Sequence, residues 1–340
     1  MKNKTIRYYL LIVLIILTVL TGCGLEVINK NGEYGNQLIV HFLDVGQGDS
    51  TFIQFPNGET ALIDGGTRKS GEKVVKYLKE LNIHKIDYLI ATHPHEDHIG
   101  GLPQVIRNFE IGKVYMPNRT ANTFIFEELL KEIKAKGLKI NIAKGGDNII
   151  DESNIKFLIL APNREDYENT NDFSIVTKIE YLNTSFLMTG DAEKAAEEDM
   201  LKAGYNLKAD VLKVAHHGSN SSTTIDFLKK VKPDYSIISV GKDNSYGHPH
   251  EEVLDRIKYI GSEILRTDEL GCIVFSSNGK GLFLDKNIII DEQVYIGNKN
   301  TKVFHSKDCK SLPNKENQII FKSIEDAMNN GYKPHEKCLK

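Results

Sequence analysis

The fold of this 340-residue chain is decided by one stretch of sequence, Thr92-His93-Pro94-His95-Glu96-Asp97-His98-Ile99-Gly100-Gly101. It follows the apolar run Ile86–Ala91, which has the length and composition of a buried strand. Because alternate side chains of a strand point the same way, His93 and His95 can bind one metal ion together. Asp97 and His98 fall on the following turn, where they can reach a second ion. Imidazole and carboxylate ligands suit zinc, with manganese or iron as alternatives.

The pattern H-x-H-x-D-H followed by two glycines resembles the signature of the metallo-β-lactamase fold superfamily. Five further sequence motifs occur along the chain: His41-Phe-Leu-Asp44-Val-Gly46-Gln-Gly48-Asp49-Ser50, Leu62-Ile-Asp64-Gly-Gly66, Thr189-Gly190-Asp191, Ala215-His216-His217-Gly218-Ser219 and Tyr246-Gly247-His248-Pro249-His250. As a set they resemble the extracellular metallo-β-lactamase domain of ComEC-type competence proteins, which import DNA. The resemblance extends from about Gln37 to about Asp285 and implies a four-layer αββα sandwich.

The hydrophobic pattern alone indicates an α/β fold, because predicted strands and helices alternate. The chain is 40% hydrophobic and 26% charged, which is ordinary for a folded domain. Besides the run before His93, the predicted strands are Leu38–Leu43, Thr51–Phe55, Thr60–Ile63, Lys156–Leu160, Ile175–Tyr181, Ser185–Thr189, Val211–Ala215 and Tyr235–Val240. The predicted helices are Glu72–Leu81, Phe124–Lys136, Ala192–Ala203, Thr223–Lys230 and Glu251–Ile260.

Asp191 follows a predicted strand through Thr-Gly and opens a helical stretch, so it is suited to be a helix N-cap. The resemblance instead implies that Asp191 bridges two metal ions, and a bridging carboxylate suits ions about 3.5–4 Å apart. Likeness to phosphodiesterases that carry His-His-Gly assigns His217 to the second metal and His216 to the substrate or to a supporting hydrogen bond. The sequence leaves the reverse order of these two histidines open.

The first metal lacks an expected ligand. Many superfamily members supply a third histidine there, but no histidine occurs between His98 and Asp191. Asp172, in an Asn-Asp-x-Ser word that resembles the competence subgroup, is an additional candidate metal ligand. A hydrogen-bonded turn before a strand is the alternative for this residue. Fewer nitrogen ligands should weaken the first site and favour exchange with manganese.

Other polar residues of the quoted words have less direct roles. The resemblance favours His248 as a contact for an oxyanion, and a solvated loop histidine is the alternative. Asp44, Asp49 and Asp64 lie in or before glycine-rich turns, where aspartate often bonds to the local backbone. We therefore expect a structural role for these three aspartates rather than metal ligation.

The first 22 residues have the features of a lipoprotein signal peptide. Basic residues precede the apolar run Tyr8–Leu20, which as a helix spans about 20 Å, less than the roughly 30 Å hydrocarbon core. The word Leu20-Thr21-Gly22-Cys23 resembles a bacterial lipobox, which implies a lipid anchor on Cys23; a plain secretory signal is the alternative. Residues 23–36 are predicted to be a polar tether and 37–290 the hydrolase domain. The expected location is the extracellular face of the cytoplasmic membrane.

A second metal site is predicted in residues 295–340. His305-x3-Cys309 and His335-x2-Cys338 form two close pairs, which predict one structural zinc ion. A Cys309–Cys338 disulfide is the alternative in an oxidising exterior. The spacing resembles the N-terminal zinc domain of the Ada DNA-repair protein, with each cysteine pair replaced by a His-Cys pair. Residues 299–340 carry nine lysines and five acidic groups, a net charge of +4 that attracts polyanions such as nucleic acid or teichoic acid.

The ligand pattern predicts a metal-dependent hydrolase with two zinc ions, or manganese, in its active site. The lipobox at Cys23 predicts that this hydrolase is anchored at the cell surface. Two such ions activate water near neutral pH and stabilise charge on a phosphoryl or carbonyl oxygen. The resemblance implies a phosphodiesterase or nuclease acting on DNA, although the overall net charge of −3 lacks the basic character of a non-specific nucleic-acid binder. Alternatives are a phosphoester hydrolase acting on cell-wall teichoic acid and a non-catalytic DNA-binding surface module. A β-lactamase or thioesterase is a further alternative, which rests on the fold alone.

We expect Cys23→Ala to release the protein from the membrane, because the lipid is lost and the apolar run is too short to remain as a spanning helix. Membrane fractionation after labelling with a fatty-acid analogue checks this. Cys272→Ala is the control, since Cys272 lies in an apolar segment predicted to be buried. A membrane-bound wild-type protein with an unmodified Cys23 would contradict the lipobox interpretation.

Overall fold

The structure is a computed structural model that describes residues 37–285, 295–306, 309, 311–321, 324–335 and 338–339. The predicted signal peptide, lipidation site and tether lie outside these residues. Within the described ranges, no helix has both the length and the apolar character needed to cross a membrane.

Strands and helices alternate along the described part of the chain. The strands are β1 (Leu38–Phe42), β2 (Thr51–Gln54), β3 (Thr60–Ile63), β4 (Lys85–Ile90), β5 (Glu110–Met116), β6 (Ile140–Ile142), β7 (Asn148–Asp151), β8 (Ile155–Ala161), β9 (Val176–Tyr181), β10 (Thr184–Met188), β11 (Val211–Lys213), β12 (Tyr235–Ile238), β13 (Glu263–Arg266), β14 (Ile273–Ser277), β15 (Leu282–Asp285), β16 (Tyr295–Asn298), β17 (Val303–Ser306), β18 (Gln318–Phe321) and β19 (Lys333–Pro334). The α-helices are α1 (Gly71–Glu80), α2 (Glu96–Ile99), α3 (Leu102–Asn108), α4 (Phe124–Ala135), α5 (Lys194–Ala203), α6 (Ile225–Val231), α7 (Glu251–Tyr259), α8 (Thr267–Leu270) and α9 (Ile324–Asn329).

Two large sheets form the main body. One has eight strands in the order β15-β14-β1-β2-β3-β4-β5-β6, and the other has seven in the order β13-β12-β11-β10-β9-β8-β7. Strands β3 to β6 pair in parallel, as do β10 to β13, whereas the remaining pairs are antiparallel. Parallel pairing places the carboxyl ends of β3 and β4, and those of β10, β11 and β12, at one edge of each sheet.

The sheets pack face to face through a buried apolar core. The ring of Phe275 in β14 illustrates this packing: its centroid lies 6.5 Å from that of Phe42 in the same sheet. It also lies 6.3 Å from Phe186 and 5.1 Å from Tyr235, which belong to the other sheet. These are ordinary distances for aromatic pairs in a protein core.

Helices cover the outer face of each sheet. The eight-stranded sheet packs against α1, α3 and α4 through buried side chains such as Leu78, Val105 and Leu129. The seven-stranded sheet packs against α5, α6 and α7, which contribute Met200 and Leu228 among others. Helix, sheet, sheet and helix layers follow one another, and the predicted αββα sandwich is confirmed.

Most predicted elements differ from the observed ones by one or two residues at their ends. Strand β11 ends at Lys213, two residues earlier than predicted, because Ala215–Gly218 form a 3-10 turn. Strand β5 was not predicted, and Gly112 is one reason, since glycine is unfavourable in strands. A Cβ atom at Gly112 would lie 2.5 Å from the carbonyl oxygen of Asp87 in β4, so close strand packing requires glycine there.

The C-terminal residues form a small module of their own. Its sheet has the strand order β18-β16-β17-β19, and α9 is the helix of this module within the described residues. The buried core of this module consists of Tyr295, Phe304, Phe321, Ala327 and Tyr332. A core of this size gives little stability by itself, so small modules of this kind usually contain a metal ion or a disulfide.

Candidate metal centre

The predicted ligands lie in loops that follow parallel strands of both sheets. His93 to His98 follow β4, Asp191 follows β10, and His216 and His217 follow β11. Because the carboxyl ends of neighbouring parallel strands share one edge, these loops meet in a single cleft of about 490 Å³. The cleft is lined by Gln47, Thr67, His95, Glu96, Asp97, Asp191, His216, His217, Tyr246 and His248.

His98 is held in place by a carboxylate behind it. Its Nδ1 donates a hydrogen bond to Oδ2 of Asp64 at 2.8 Å. The backbone NH and the hydroxyl of Thr92 donate to the same carboxylate at 2.8 and 2.7 Å. All three residues are buried. With the proton of the neutral imidazole on Nδ1, Nε2 of His98 presents a lone pair to the cleft, as metal-binding histidines with a carboxylate partner do.

His217 is oriented in the same manner by a backbone carbonyl. Its Nδ1 donates to the oxygen of Ser239, just beyond β12, at 2.9 Å, and its Nε2 lies 3.3 Å from Oδ2 of Asp97. The backbones of His216 and His217 are both left-handed, with φ of 49° and 53°. In a regular strand, adjacent side chains would point to opposite faces. The left-handed turn is therefore what lets both histidines face the cleft.

Asp191 lies at the centre of the cluster. Its Oδ2 is 3.1 Å from Nε2 of His98, 3.7 Å from Nε2 of His217 and 3.8 Å from Nε2 of His93. One ligand atom from each of Asp97, His98, Asp191 and His217 lies within 4.8 Å of all the others. The structure thus brings four of the six predicted ligands into one group.

His93 and His95 form a second pair of candidate ligands beside Asp191. Nε2 of His93 and Nδ1 of His95 are 3.0 Å apart. Nδ1 of His93 lies 3.3 Å from the hydroxyl of Ser174, which also accepts a hydrogen bond from the backbone NH of Asp191. Oδ2 of Asp191 therefore approaches both the His93–His95 pair, through His93, and the group that contains His98.

The buried atoms around Asp191 fit a cation. Nε2 of His98 and Oδ1 of Asp191 make no hydrogen bond, although buried polar atoms are normally paired. The Nδ1 protons of His98 and His217 are already donated, so their Nε2 lone pairs face carboxylate oxygens. Acceptors this close together need a shared positive charge. Imidazole nitrogens and carboxylate oxygens are the donors that zinc prefers at sites without cysteine.

The electrostatics of the cleft agree with this fit. Burial alone would lower the pKa of His98, but Asp191, Asp64 and Asp97 raise it well above its usual value. Burial also acts downward on His217, yet Asp191 and Asp49 raise its pKa to about 10. Although burial opposes it, His98 and His217 hold the pKa of Asp191 well below its usual value. Asp191 thus stays ionised and favours positive charge in the cleft, either as a second proton on these imidazoles or as a metal ion.

A buried ion pair behind the ligands was missed by the sequence analysis. Asp49 pairs with the ammonium group of Lys213, and Oδ1 of Asp49 lies 3.3 Å from Nδ1 of His217. Nζ of Lys213 also donates to the carbonyls of Gly190 and Val214 at 3.2 and 3.1 Å. Lys213 therefore links the two loops that carry Asp191 and His217 to the loop after β1 that carries Asp49. A lysine inside the apolar run of β11 was the signal that could have revealed it, since lysine is seldom buried without a partner.

Glu193 is a second residue that the sequence analysis did not assign. Its Oε1 lies 3.1 Å from Nδ1 of His216, and Nε2 of His216 is 3.7 Å from Oδ2 of Asp191. The side-chain amides of Asn169 and Asn171 donate to the Glu193 carboxylate at 2.8 and 2.9 Å. His216 is consequently oriented by Glu193 and lies beside the group of four ligands rather than within it.

The structure places Asp172 away from this group. Its Oδ1 accepts hydrogen bonds from the backbone NH groups of Glu193 and Ala196 at the start of α5, each at 3.1 Å. Because these NH groups have no partner within the helix, Asp172 acts as a cap of α5, and its ligation of the first metal stays a prediction. His248 lines the cleft, and burial together with His216 lowers its pKa to about 4, which leaves a neutral imidazole.

The small C-terminal module, residues 295–340, which we call the tail, contains a second candidate metal site. One ligand atom from each of His305, Cys309, His335 and Cys338 lies within 4.8 Å of the others. Nδ1 of His335 is 3.5 Å from Sγ of Cys309 and 3.3 Å from Sγ of Cys338. The two cysteines are not joined by a disulfide. Two nitrogen and two sulfur donors are a usual ligand set for structural zinc.

The fold and the two clusters define a metal-dependent protein built on an αββα sandwich, with a separate metal-binding module. Residues 43–242 match the family model of the metallo-beta-lactamase superfamily, and residues 282–340 match that of the metal binding domain of Ada. The chain belongs to the metallo-beta-lactamase superfamily and is a metal-dependent hydrolase related to competence proteins.

Two curated relatives show where this chain corresponds to larger proteins. It is 34% identical over 253 residues to ComE operon protein 3 of Bacillus subtilis, covering 69% of this chain and 32% of that protein. It is 29% identical over 249 residues to Competence protein ComA of Neisseria gonorrhoeae, covering 73% and 33%. The chain thus spans about a third of the length of these relatives. Among solved structures, the metallo-beta-lactamase fold protein YhfI from Bacillus subtilis aligns with 71% of this chain and 100% of its own, with 13% identity and a TM-score of 0.48.

We expect Asp191→Ala to lose most of the metal bound in the cleft, because this carboxylate lies between both sets of ligands. Metal content per chain after dialysis, measured by inductively coupled plasma mass spectrometry, checks this. Asp255→Ala is the matched control, since Asp255 lies exposed on α7 and pairs only with Lys258 in the described structure. An Asp191→Ala protein with the metal content of the wild type would contradict the central position of Asp191.

We expect Cys338→Ser to lower the zinc content by about one ion per chain and to unfold the tail, because metal binding contributes folding free energy to small modules. Metal analysis and limited proteolysis of the full chain check this. Cys272→Ser is the control, since the Cys272 sulfur contacts the backbone of Asp44 in the main body. Unchanged zinc, with Cys309 and Cys338 alkylated only after reduction, would support the disulfide alternative instead.

Proposed function

We propose that this protein is a dinuclear zinc phosphodiesterase that hydrolyses nucleic acid outside the cytoplasmic membrane. The observation that carries the proposal is the position of Asp191 between the His93–His95 pair and the group of Asp97, His98 and His217. One carboxylate shared between two ligand sets suits two ions about 3.5–4 Å apart, and when bound such ions lower the pKa of water and polarise a phosphoryl oxygen.

The protein supports this chemistry by fixing its ligands before the substrate binds. Asp64 and the carbonyl of Ser239 hold His98 and His217 in the tautomer that directs Nε2 to the cleft. The Lys213–Asp49 ion pair keeps the surrounding loops at fixed distances. Ligands that are held rigidly by surrounding hydrogen bonds bind metal and orient substrate without further rearrangement.

His216 and His248 are the residues we assign to the substrate. Glu193 faces Nδ1 of His216, so Nε2 of His216 is directed towards Asp191 and the cleft, where it can bond to a phosphate oxygen. The neutral His248 ring lies 5.6 Å from the His216 ring, on the same side of the cleft. Together they would contact a non-bridging or leaving oxygen of a phosphodiester while the ligands hold the metals.

Nucleic acid is the favoured substrate because one of these relatives is a competence protein by name and the sequence motifs resemble those of competence proteins that import DNA. The tail adds support, since its match to the metal binding domain of Ada accompanies a net charge of +4 in residues 299–340. We assign the tail one structural zinc ion and a role in capturing polyanions, either nucleic acid or cell-wall polymers. A lipid anchor on Cys23 would hold the enzyme at the extracellular face of the membrane.

We expect His95→Ala and Asp97→Ala each to reduce hydrolysis of DNA by about a thousandfold or more, because lost metal ligation removes several kcal/mol of transition-state stabilisation. The fold should persist, since His95 and Asp97 line the cleft and are not part of the apolar core. Turnover of single-stranded DNA, duplex DNA, a poly(glycerol phosphate) and a chromogenic lactam by the zinc-loaded chain checks this, together with circular dichroism.

Matched controls separate ligand loss from general damage. His84→Ala and Asp255→Ala remove exposed residues of the same types outside the cleft and should keep wild-type turnover. Cleavage of poly(glycerol phosphate) but not of DNA would replace the nuclease proposal with the teichoic-acid alternative. Full activity of either cleft variant would contradict the site itself.

A further inference from the structure

The cleft contains an aromatic ring that the proposed chemistry does not use. Tyr246 lines the cleft beside His216 and His248, yet its side chain is 64% exposed. The other exposed phenylalanine and tyrosine side chains in the described ranges, Phe124, Tyr259 and Phe283, are not part of the cleft. Tyr246 is therefore the exposed phenol ring placed to touch whatever occupies the metal centre.

The loop that carries Tyr246 is held in one conformation by Asn244. Oδ1 of Asn244 accepts from the backbone NH groups of Tyr246 and His248 at 3.2 and 3.1 Å. Its Nδ2 donates to the carbonyls of Gly241 and His248 at 3.0 and 2.7 Å. The NH of Gly241 donates to the side-chain oxygen of Gln47, which lines the cleft as well. The backbone that carries the ring is thus held by hydrogen bonds within the protein.

One face of the Tyr246 ring is covered by His248. The ring centroids are 5.7 Å apart and the planes differ by 22°, which is a stacked arrangement. His248 is in turn 5.6 Å from the ring of His216 and 6.4 Å from that of His217. With His248 on one side and most of the tyrosine exposed, the opposite face of the ring is open. The Tyr246 ring thus adjoins the residues assigned to the phosphate through His248, and its open face is turned away from His248.

We propose that Tyr246 is a specificity-determining residue that stacks on a nucleobase next to the phosphodiester being cleaved. A nucleobase has the flat π-face that an exposed tyrosine binds, whatever the base. Polyol phosphates such as teichoic acid have no such group. Because a base within a duplex already stacks on both of its neighbours, the substrate class is nucleic acid with unpaired bases. This inference rests on the proposed function and narrows its substrate.

The experiment compares two single-stranded oligomers of equal length, oligodeoxythymidylate and its fully abasic counterpart, with the zinc-loaded full chain. The quantity measured is the ratio of kcat/KM for the two oligomers. Tyr246→Ala should lower this ratio about tenfold, which is the effect expected for one lost base stack. Tyr246→Phe keeps the ring and should keep the ratio. Tyr259→Ala, which removes a ring that is 76% exposed outside the cleft, should leave the ratio unchanged.

Binding gives a second measurement that does not depend on turnover. Fluorescence anisotropy with labelled oligodeoxythymidylate compares Asp97→Ala with the double variant Asp97→Ala/Tyr246→Ala, both of which are expected to be inactive. The double variant should bind about tenfold more weakly, and the abasic oligomer should show no such difference between the two proteins.

The outcomes distinguish this inference from the proposed function. If the wild type cleaves oligodeoxythymidylate and Tyr246→Ala leaves the ratio unchanged, the stacking role is wrong and the nuclease proposal stands. If Tyr246→Phe loses as much as Tyr246→Ala, the hydroxyl is responsible and stacking is again overturned. If the wild type cleaves poly(glycerol phosphate) but neither oligomer, the proposed function and the inference fall together.

Discussion

The rest of the site depends on how this protein accommodates several negative charges in one small, largely buried cleft. Asp49, Asp64 and Asp191 are almost fully buried, and Asp97 faces the same histidines. Burying a carboxylate costs free energy unless a positive charge or several hydrogen bonds accompany it. Different groups of the protein compensate the charges of these carboxylates. Asp49 is paired with Lys213, and Asp64 receives three hydrogen bonds. Asp97 and Asp191 are left facing imidazole nitrogens, which is where metal ions fit.

The pairing of Asp49 with Lys213 also explains the positions of the loops that form the cleft. Lys213 bonds to Gly190 and Val214 as well as to Asp49, so a single buried cation joins the loops that carry Asp191 and His217 to the loop after β1. These loops come from different sheets, and their approach depends on the face-to-face packing around residues such as Phe275. The metal centre is therefore a property of the whole sandwich. No single loop contains enough ligands to form it.

The tail also gathers metal-binding side chains from separate segments of the chain. Its core consists of four aromatic side chains and Ala327, which is too small to give much stability by itself. The four donor atoms of His305, Cys309, His335 and Cys338 join strand β17 to the segment after β19. Burial would raise the pKa of the Cys338 thiol, but contacts with Cys309 and His335 lower it to about 7, which favours the thiolate that binds metal.

The sequence by itself determined the ligand types, the α/β layers and the two metal-binding regions. Those features follow from local spacing, because an apolar run followed by H-x-H-x-D-H places its side chains in directions that the strand and turn impose. The tertiary structure alone decided that Lys213 and Glu193 support the centre, that Asp172 bonds to the start of α5, and that Tyr246 borders the cleft. These contacts join residues far apart in the chain, and Asp49 and Lys213 are an example. The left-handed turn at His216 and His217 could not be predicted from the sequence either, since a strand pattern predicts side chains on alternating faces. The contacts of these histidines with Ser239 and Glu193 select the left-handed backbone conformation instead.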